Sequence, residues 1–318
     1  MTYLLLIISI GILIIAGEAL VKAAIDLALR FHIPMVIVGL TVVSFATSAP
    51  ELVVSLDAAL LGKTDIALGN VIGSNIANLS IVLGPTALLY PILVKARVSR
   101  IDWPVMFILS MLFAAFIYDD NVISFTEGLS LFSVLIVYIL FLIRSTRKEI
   151  KKNPKEKDHS ALLPIWKTIP LLIFGVIGLK YGAEILIEQV IAIARDNDIS
   201  ERVISLTLVA FGTSIPELVA SITAAIKGQE DLSVGNLIGS NIFNIGAVLG
   251  ITSMVSEIQM EPNSNILSDI PWMLFLIVFI ILIILLSREK KIGRYAGLGL
   301  LLFYILYMCI LYFRQGMQ

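Results

Sequence analysis

The stretch FATSAPELVVS at residues 45–55 returns almost unchanged as FGTSIPELVAS at residues 211–221. Each copy places a proline beside a glutamate, in a segment otherwise apolar enough to lie in a lipid bilayer. A proline cannot donate the backbone hydrogen bond of a helix interior. A charged carboxylate near the middle of a membrane costs at least about 2.5–3.5 kcal/mol. A sequence that keeps both features in both copies indicates a shared function for them.

The composition of the 318-residue chain is that of an integral membrane protein. Apolar residues make up 58% and charged residues 15%, whereas soluble domains are usually about half apolar and a quarter charged. A helix needs about 20 apolar residues to cross the hydrocarbon core. The sequence therefore predicts an all-α polytopic membrane protein with ten transmembrane helices. The predicted spans are roughly 3–28, 33–61, 66–93, 102–118, 122–143, 165–192, 201–226, 232–256, 268–287 and 295–313.

The orientation in the membrane is predicted from the positions of lysine and arginine, which favour cytoplasmic loops. If the N-terminus is placed outside, 17 of the 23 basic residues fall in inside loops or the adjoining helix ends. Both termini are therefore expected outside, and the polar segment 144–164 is expected to be a cytoplasmic linker. The basic residues that this arrangement leaves outside are Lys63, Arg195, Arg202 and Arg314.

The two copies belong to a longer internal repeat. Residues 39–84 and 205–250 align without a gap at an offset of 166, and 26 of the 46 positions are identical. Five predicted spans separate equivalent points, and because five is odd, the second half enters the membrane the opposite way up. Inverted repeats of this kind build many secondary transporters. We therefore predict two inverted five-helix repeats, at 1–143 and 165–318.

The first repeated motif predicts a cluster of oxygen atoms inside the membrane. Pro50 and Pro216 each break a helix and leave nearby carbonyls without their usual partners, next to threonine and serine hydroxyls. The glutamate charges need a compensating partner. Spans two, three, seven and eight contain basic residues only near their ends. The carboxylates are therefore either protonated or hold metal ions.

A second repeated motif, GNVIGSNIAN at 69–78 and GNLIGSNIFN at 235–244, adds glycines for close helix approach and further amide and hydroxyl oxygens. The combined inventory contains only oxygen, which suits hard cations such as Ca²⁺, whereas softer metals favour histidine or cysteine. Two glutamate charges match one Ca²⁺ or two monovalent ions. A proline kink or a glycine packing motif alone would be structural, but the mirrored pair predicts a cation-exchange site.

These paired motifs resemble the α-repeats of the prokaryotic-type sodium/calcium exchanger family, within the calcium/cation antiporter superfamily. The resemblance implies that Glu51 and Glu217 are the central ligands. The hydroxyl and amide ligands that it implies are Thr47, Ser48, Ser74, Asn78, Thr213, Ser214, Ser240 and Asn244. The backbone carbonyl ligands that it implies are those of Ser44 and Ala210. It also implies alternating access, in which the first and sixth spans slide across the rest of the protein.

The function expected from the resemblance is secondary antiport of Na⁺ against Ca²⁺ across a prokaryotic cell membrane. We expect a monomer in the bilayer without enzymatic activity, nucleic-acid partner or resident cofactor, and with Ca²⁺ and Na⁺ bound only as transported ions. Two positions depart from the family pattern: Ala46 replaces a glycine, and Asn244 stands where relatives often have aspartate. The alternatives are proton/calcium antiport, whose family branch has a different signature around its glutamates, and a cation channel.

Overall fold

The protein is a bundle of long helices. In the computed structural model, residues 2–152, 163–197, 212–261, 266–287 and 289–316 are described. We number the helices in chain order. They are α1 (Thr2–Phe31), α2 (Met35–Thr47), α3 (Ala49–Leu60), α4 (Thr64–Leu89), α5 (Val98–Asp120), α6 (Phe125–Lys152), α7 (Ile165–Asp196), α8 (Ile215–Ile226), α9 (Glu230–Val255), α10 (Ile270–Leu286) and α11 (Arg294–Gly316).

Eight of the described helices are long and apolar enough to cross a membrane. Helices α2 and α3 add a ninth span if the pair, which is bent by 42°, is counted as one. Helix α8 is a shorter apolar helix, and the predicted span 201–226 to which it belongs is described only from residue 212. The polytopic all-helical fold is thus confirmed, while the count of ten spans remains a prediction. Helix α6 runs on to Lys152, well past the predicted end of its span at 143 and into the predicted linker.

Four long helices contain a π-helical turn, in which each backbone hydrogen bond spans one residue more than in an α-helix. The sequence analysis did not predict these turns. They lie at Gly39–Val43, Asn78–Val82, Val98–Asp102 and Asn244–Leu249. Three of them fall inside the repeated segments 39–84 and 205–250, and π-helical turns are frequent at functional sites.

Two short antiparallel strand pairs join the two halves of the chain. Strand β1 (Ile92–Leu93) pairs with β4 (Lys291–Ile292), and β2 (Val122–Ile123) pairs with β3 (Ile258–Gln259). At the repeat offset of 166, β1 and β3 are equivalent, since each follows the last helix of a repeated segment. The two equivalent strands, β1 and β3, therefore each pair with a strand from the opposite half of the chain.

The buried apolar side chains form two clusters. The larger cluster joins α4, α5, α6, α9, α10 and α11, the smaller joins α1, α7 and α8, and α2 contributes residues to both. Glycines of α7 let α1 approach closely, since a Cβ atom on Gly175 would lie 2.7 Å from the backbone nitrogen of Leu20. The pair α1 and α7 therefore packs mainly on itself and on α8, beside the larger cluster.

Helices α2 and α9, one from each half, cross at backbone contact. A Cβ atom on Gly235 would lie 2.3 Å from the carbonyl oxygen of Val36, and one on Gly39 would lie 2.5 Å from the carbonyl oxygen of Leu232. Neither neighbour is a flexible side-chain end, so the backbone would have to move. The close approach predicted from the glycines of the second motif is thus present at Gly235.

We expect Gly235→Ala to lower the free energy of unfolding by about 1–3 kcal/mol, because the added methyl group forces the crossing helices apart. Thermal unfolding of the detergent-purified protein measures this as a lower midpoint temperature. The control is Gly299→Ala in α11, where an added Cβ meets nothing within 4 Å. Equal midpoints for the two variants would show that the crossing does not depend on close contact.

Candidate ion-binding site

The repeated Pro-Glu motif lies at the start of a helix in each half, and in the first half that helix follows a break between α2 and α3. Ser48 separates α2 from α3 with φ −87° and ψ 0°, and Ser214 precedes α8 with φ −92° and ψ 2°. These angles fall in a sparsely populated backbone region that active-site residues often occupy. Pro50 and Pro216 follow in the first turn of the next helix, where the missing N–H would have no helical partner in any case. The predicted helix break at Pro50 is confirmed, whereas residues 201–211, which precede the second motif, lie outside the described part of the chain.

Glu51 and Glu217 lie one position beyond the prolines, in the first turn of α3 and α8, and both are completely buried. The positive end of a helix dipole stabilises a carboxylate there by about 0.3–1 kcal/mol, and by about 2 kcal/mol in favourable buried geometry. This is less than the several kcal/mol that burial of an ion costs. The two carboxylates also repel each other. The helix ends therefore offset only part of the cost of burying these charges.

Several polar atoms around the glutamates are buried without a hydrogen-bond partner among the described residues. They include both carboxylate oxygens of Glu51 and of Glu217. Buried polar groups are nearly always paired, so a cluster of unpaired oxygens needs an explanation such as a bound ion. The other unpaired atoms of this kind at predicted ligands are Ser48 Oγ, Ser214 Oγ, Asn78 Oδ1, Asn78 Nδ2 and Asn244 Oδ1.

The predicted hydroxyl ligands meet across the two halves. Thr47 Oγ1 lies 3.4 Å from Ser240 Oγ, and Ser74 Oγ lies 3.1 Å from Thr213 Oγ1. Position 47 corresponds to 213 and position 74 to 240 at the offset of 166, so the second contact is the first with the halves exchanged. The first motif of each half is thus joined to the second motif of the other half.

A further pair of contacts holds each half together internally. Asn70 Nδ2 donates to Ser55 Oγ at 2.9 Å, and the equivalent Asn236 Nδ2 donates to Ser221 Oγ at 3.1 Å. Asn70 also donates to the backbone carbonyl of Glu51 at 3.1 Å. These residues were left out of the predicted ligand set. Their identity in both copies is the signal that could have marked them as part of the site.

Of the two predicted backbone ligands, the structure describes Ser44 but not Ala210. The carbonyl of Ser44 accepts the N–H of Ser48 at 2.9 Å across the helix break. The Ser44 hydroxyl lies 2.7 Å from the carbonyl oxygen of Gly39 and 2.9 Å from that of Asn236, and its single hydrogen is shared between these two acceptors. Ala210 lies outside the described residues. The role of both carbonyls as ligands remains a prediction.

In the described part of the chain, the formal charges at the site are those of Glu51 and Glu217. Among the described residues, no three acidic, histidine or cysteine side chains come together, so the remaining donors near the glutamates are neutral oxygens. Carboxylates combined with hydroxyl, amide and carbonyl oxygens suit hard cations. The arrangement defines a polytopic membrane protein with a buried, oxygen-lined site built from both halves of the chain.

The family model for the sodium/calcium exchanger protein matches residues 1–144 and 167–313. The chain therefore belongs to the sodium/calcium exchanger family, a family of membrane antiporters for Na⁺ and Ca²⁺, and the resemblance based on the paired motifs is confirmed. The match covers both halves and omits most of the segment predicted as a linker.

Relatives resemble the chain over nearly its whole length. The inner membrane protein YrbG of Escherichia coli K12 is 33% identical over 319 residues, which cover 97% of this chain and 96% of YrbG. The sodium/calcium exchanger MaX1 of Methanosarcina acetivorans is 29% identical over 347 residues, which cover 98% of each chain. The solved structure of the sodium-calcium exchanger NCX_Mj soaked with zero Na⁺ and Ca²⁺ is 29% identical, with a TM-score of 0.81 and coverage of 98% of each chain.

We expect Glu51→Gln and Glu217→Gln each to raise the thermal midpoint of the ion-free protein, because a neutral amide is cheaper to bury than an unpaired carboxylate. We expect the same variants to lose the stabilisation that added Ca²⁺ gives the wild type, since that stabilisation follows ligand affinity. Differential scanning fluorimetry in chelator and in millimolar Ca²⁺ measures both effects. A Ca²⁺-induced shift of wild-type size in both variants would contradict the proposed role of the glutamates.

Proposed function

We propose that this protein is a secondary antiporter that exchanges Na⁺ for Ca²⁺ by alternating access at one all-oxygen site near the middle of the membrane. The observation that carries the proposal is the pair Glu51 and Glu217, fully buried and without hydrogen-bond partners among the described residues. The two negative charges of this pair balance the charge of one Ca²⁺ or of two Na⁺. Both ions would therefore compete for the same carboxylates, and competition for one site is the basis of antiport.

We propose the full predicted ligand set for this site. Glu51 and Glu217 would neutralise the cation, and neutral oxygens would replace its hydration shell. Ca²⁺ takes 6–8 oxygens, and the cross-half contacts of the hydroxyls place donors from both motifs close together. The proposed neutral ligands are Thr47, Ser48, Ser74, Asn78, Thr213, Ser214, Ser240 and Asn244, with the carbonyls of Ser44 and Ala210.

The proposed architecture is two inverted five-helix repeats, with residues 201–226 completing the tenth span. Three observations support it. The Thr47–Ser240 contact recurs as Ser74–Thr213, the Asn70–Ser55 bond recurs as Asn236–Ser221, and the pairing of β1 with β4 recurs as that of β3 with β2. Such an exchange of partners is what a pseudo-twofold axis between the halves produces.

Access from one side at a time is supported by an unequal fit of α1 and α7. Gly17 of α1 packs closely on α8, where a Cβ atom at this position would lie 2.8 Å from Val219 Cγ1. Beside it, Glu18 lies 3.6 Å from the amino group of Lys227. In the other half, the equivalent of Val219 is Val53, which is 53% exposed. Helix α1 therefore covers Val219 of α8, whereas the equivalent Val53 of α3 remains exposed.

The remaining features of the proposal follow from composition. The distribution of basic residues favours both termini outside and the segment 144–164 in the cytoplasm, in the inner membrane of a prokaryotic cell. The site combines donors from both halves of a single chain, so a monomer would be sufficient for exchange. We propose that the protein has no resident cofactor and no enzymatic activity.

In proteoliposomes, an outward-directed Na⁺ gradient should drive uptake of ⁴⁵Ca²⁺, and collapse of that gradient should stop it. The matched control is the Glu51→Gln variant, which should give background uptake. Uptake that ignores Na⁺ and follows an imposed pH gradient would assign the protein to proton/calcium antiport. Uptake that continues down the Ca²⁺ gradient without any counter-ion would indicate a channel.

We expect Gly17→Ala to slow exchange several-fold while leaving equilibrium Ca²⁺ binding close to that of the wild type. The added methyl group would sit 2.8 Å from Val219 Cγ1 and 3.0 Å from Thr223 Oγ1, which destabilises the state in which α1 covers α8. The comparison is Gly11→Ala on the same helix, where an added Cβ meets nothing within 4 Å. Identical initial rates of ⁴⁵Ca²⁺ uptake in both variants would argue against a moving contact at Gly17.

A further inference from the structure

A chain of side-chain amides leads from the backbone of α9 to the proposed ion site. Asn75 Nδ2 donates to the backbone carbonyl of Asn241 at 3.4 Å and faces the sulfur of Met273 at 3.8 Å. Asn244 Nδ2 in turn donates to Asn75 Oδ1 at 3.1 Å. The three asparagines are fully buried. Asn75 is not among the predicted ligands and touches the site only through Asn244.

The partners of Asn75 determine which end of each amide points where. A backbone carbonyl can only accept a hydrogen bond, and a thioether sulfur is at most a weak acceptor. Both lie against the same atom of Asn75, so that atom must be the NH₂ group, and the Asn75 oxygen must face Asn244. Asn244 therefore has to use its own NH₂ group toward Asn75. Its carbonyl oxygen, Oδ1, is the end that stays buried without a partner among the described residues.

We propose that Asn75 is a positioning residue that holds the amide of Asn244 with its carbonyl oxygen, rather than its NH₂ group, toward the transported cation. This inference rests on the proposed function, because it assumes that a cation binds beside Asn244. A cation is attracted to the carbonyl oxygen of an amide and repelled by its NH₂ group. The orientation of Asn244 therefore decides whether this side chain favours or opposes binding.

The repeat-equivalent pair, Asn241 and Asn78, does not form this hydrogen bond in the described structure. Asn241, the repeat equivalent of Asn75, donates to the carbonyl of Leu237 in its own helix at 2.7 Å. Asn78, the equivalent of Asn244, has neither amide atom hydrogen-bonded to a described residue. Asn244 is thus a fixed oxygen donor, whereas the Asn78 amide is not tied in one orientation. The two amides should contribute differently to affinity although their motifs are nearly identical.

The test is a double-mutant cycle between positions 75 and 244, read as the dissociation constant for ⁴⁵Ca²⁺ on detergent-purified protein. Asn75→Leu keeps the side-chain volume but removes the anchor, and should weaken Ca²⁺ binding about 5- to 10-fold. In the Asn244→Ala background, where no amide is left to orient, Asn75→Leu should add less than about 2-fold. An equal loss in both backgrounds would overturn the inference.

A third background tests the role of orientation. Both oxygens of the Asn244→Asp carboxylate accept, so this side chain has no NH₂ end to turn toward the cation, and Asn75→Leu should change Ca²⁺ binding there by less than about 2-fold. A further loss of affinity in this background would contradict the proposal. The control is Thr86→Val, which removes a buried hydroxyl of α4 bonded only to the carbonyl of Val82 at 2.7 Å and should not change affinity.

Two further points keep the result interpretable. If Asn75→Leu does not give monodisperse protein, Asn75→Ala enters the same cycle with the same expected coupling. Because the readout is Ca²⁺ binding, it does not depend on the counter-ion. A wild type that binds Ca²⁺ but shows no Na⁺-driven uptake would refute the Na⁺ coupling of the proposed function and leave the cycle readable.

Discussion

The burial of two like charges in the middle of a membrane protein constrains every nearby element. Glu51 and Glu217 repel each other and have no basic partner in the described structure around them. The helix N-termini on which they lie supply about 2 kcal/mol at most, against several kcal/mol per buried ion. The cation of the proposed function would supply the remainder. It would also account for the recurrence of the same Pro-Glu turn and the same hydroxyl-bearing residues in both halves, since each half would contribute one charge and its share of neutral oxygens.

Bringing the two charges together requires the halves to meet at backbone distance. Glycine at 39 and 235 allows α2 and α9 to cross without intervening side chains, and Ser44 bonds backbone carbonyls of both helices at that crossing. The close approach places the end of α2 beside α9, so that Thr47 reaches Ser240. In the proposed function, Gly39 and Gly235 and the acids of the first motif would serve the same end, because a bulkier crossing would separate the charges that one cation would neutralise.

The sequence alone predicts features whose residue types are unusual in a membrane helix. A glutamate beside a proline in an apolar run cannot be explained by packing, and its repetition at a fixed offset identifies the site. The π-helical turns at Asn78 and Asn244 carry no such signal, because no residue type or spacing in the sequence marks them. The bonds from Asn70 to Ser55 and from Asn75 to Asn241 were missed for a similar reason. Asparagine and serine occur in many roles, and only the fold shows which partner each one reaches.

Near-identical motifs do not make the two halves equal, and this difference bears on the proposed alternating access. If α1 and α7 move to cover α3 in the opposite state, Ala183 takes the place that Gly17 has against α8, and it meets Val53 and Asp57 in place of Val219 and Thr223. Alanine cannot approach as closely as glycine, and an aspartate at this contact is harder to bury than a threonine. The two closed states would therefore differ in stability because a few residues outside the ion site differ between the halves. In the proposed mechanism, ion binding would act on that difference: a site with two uncompensated charges would resist being covered in either state, and a cation that neutralises them would remove the resistance.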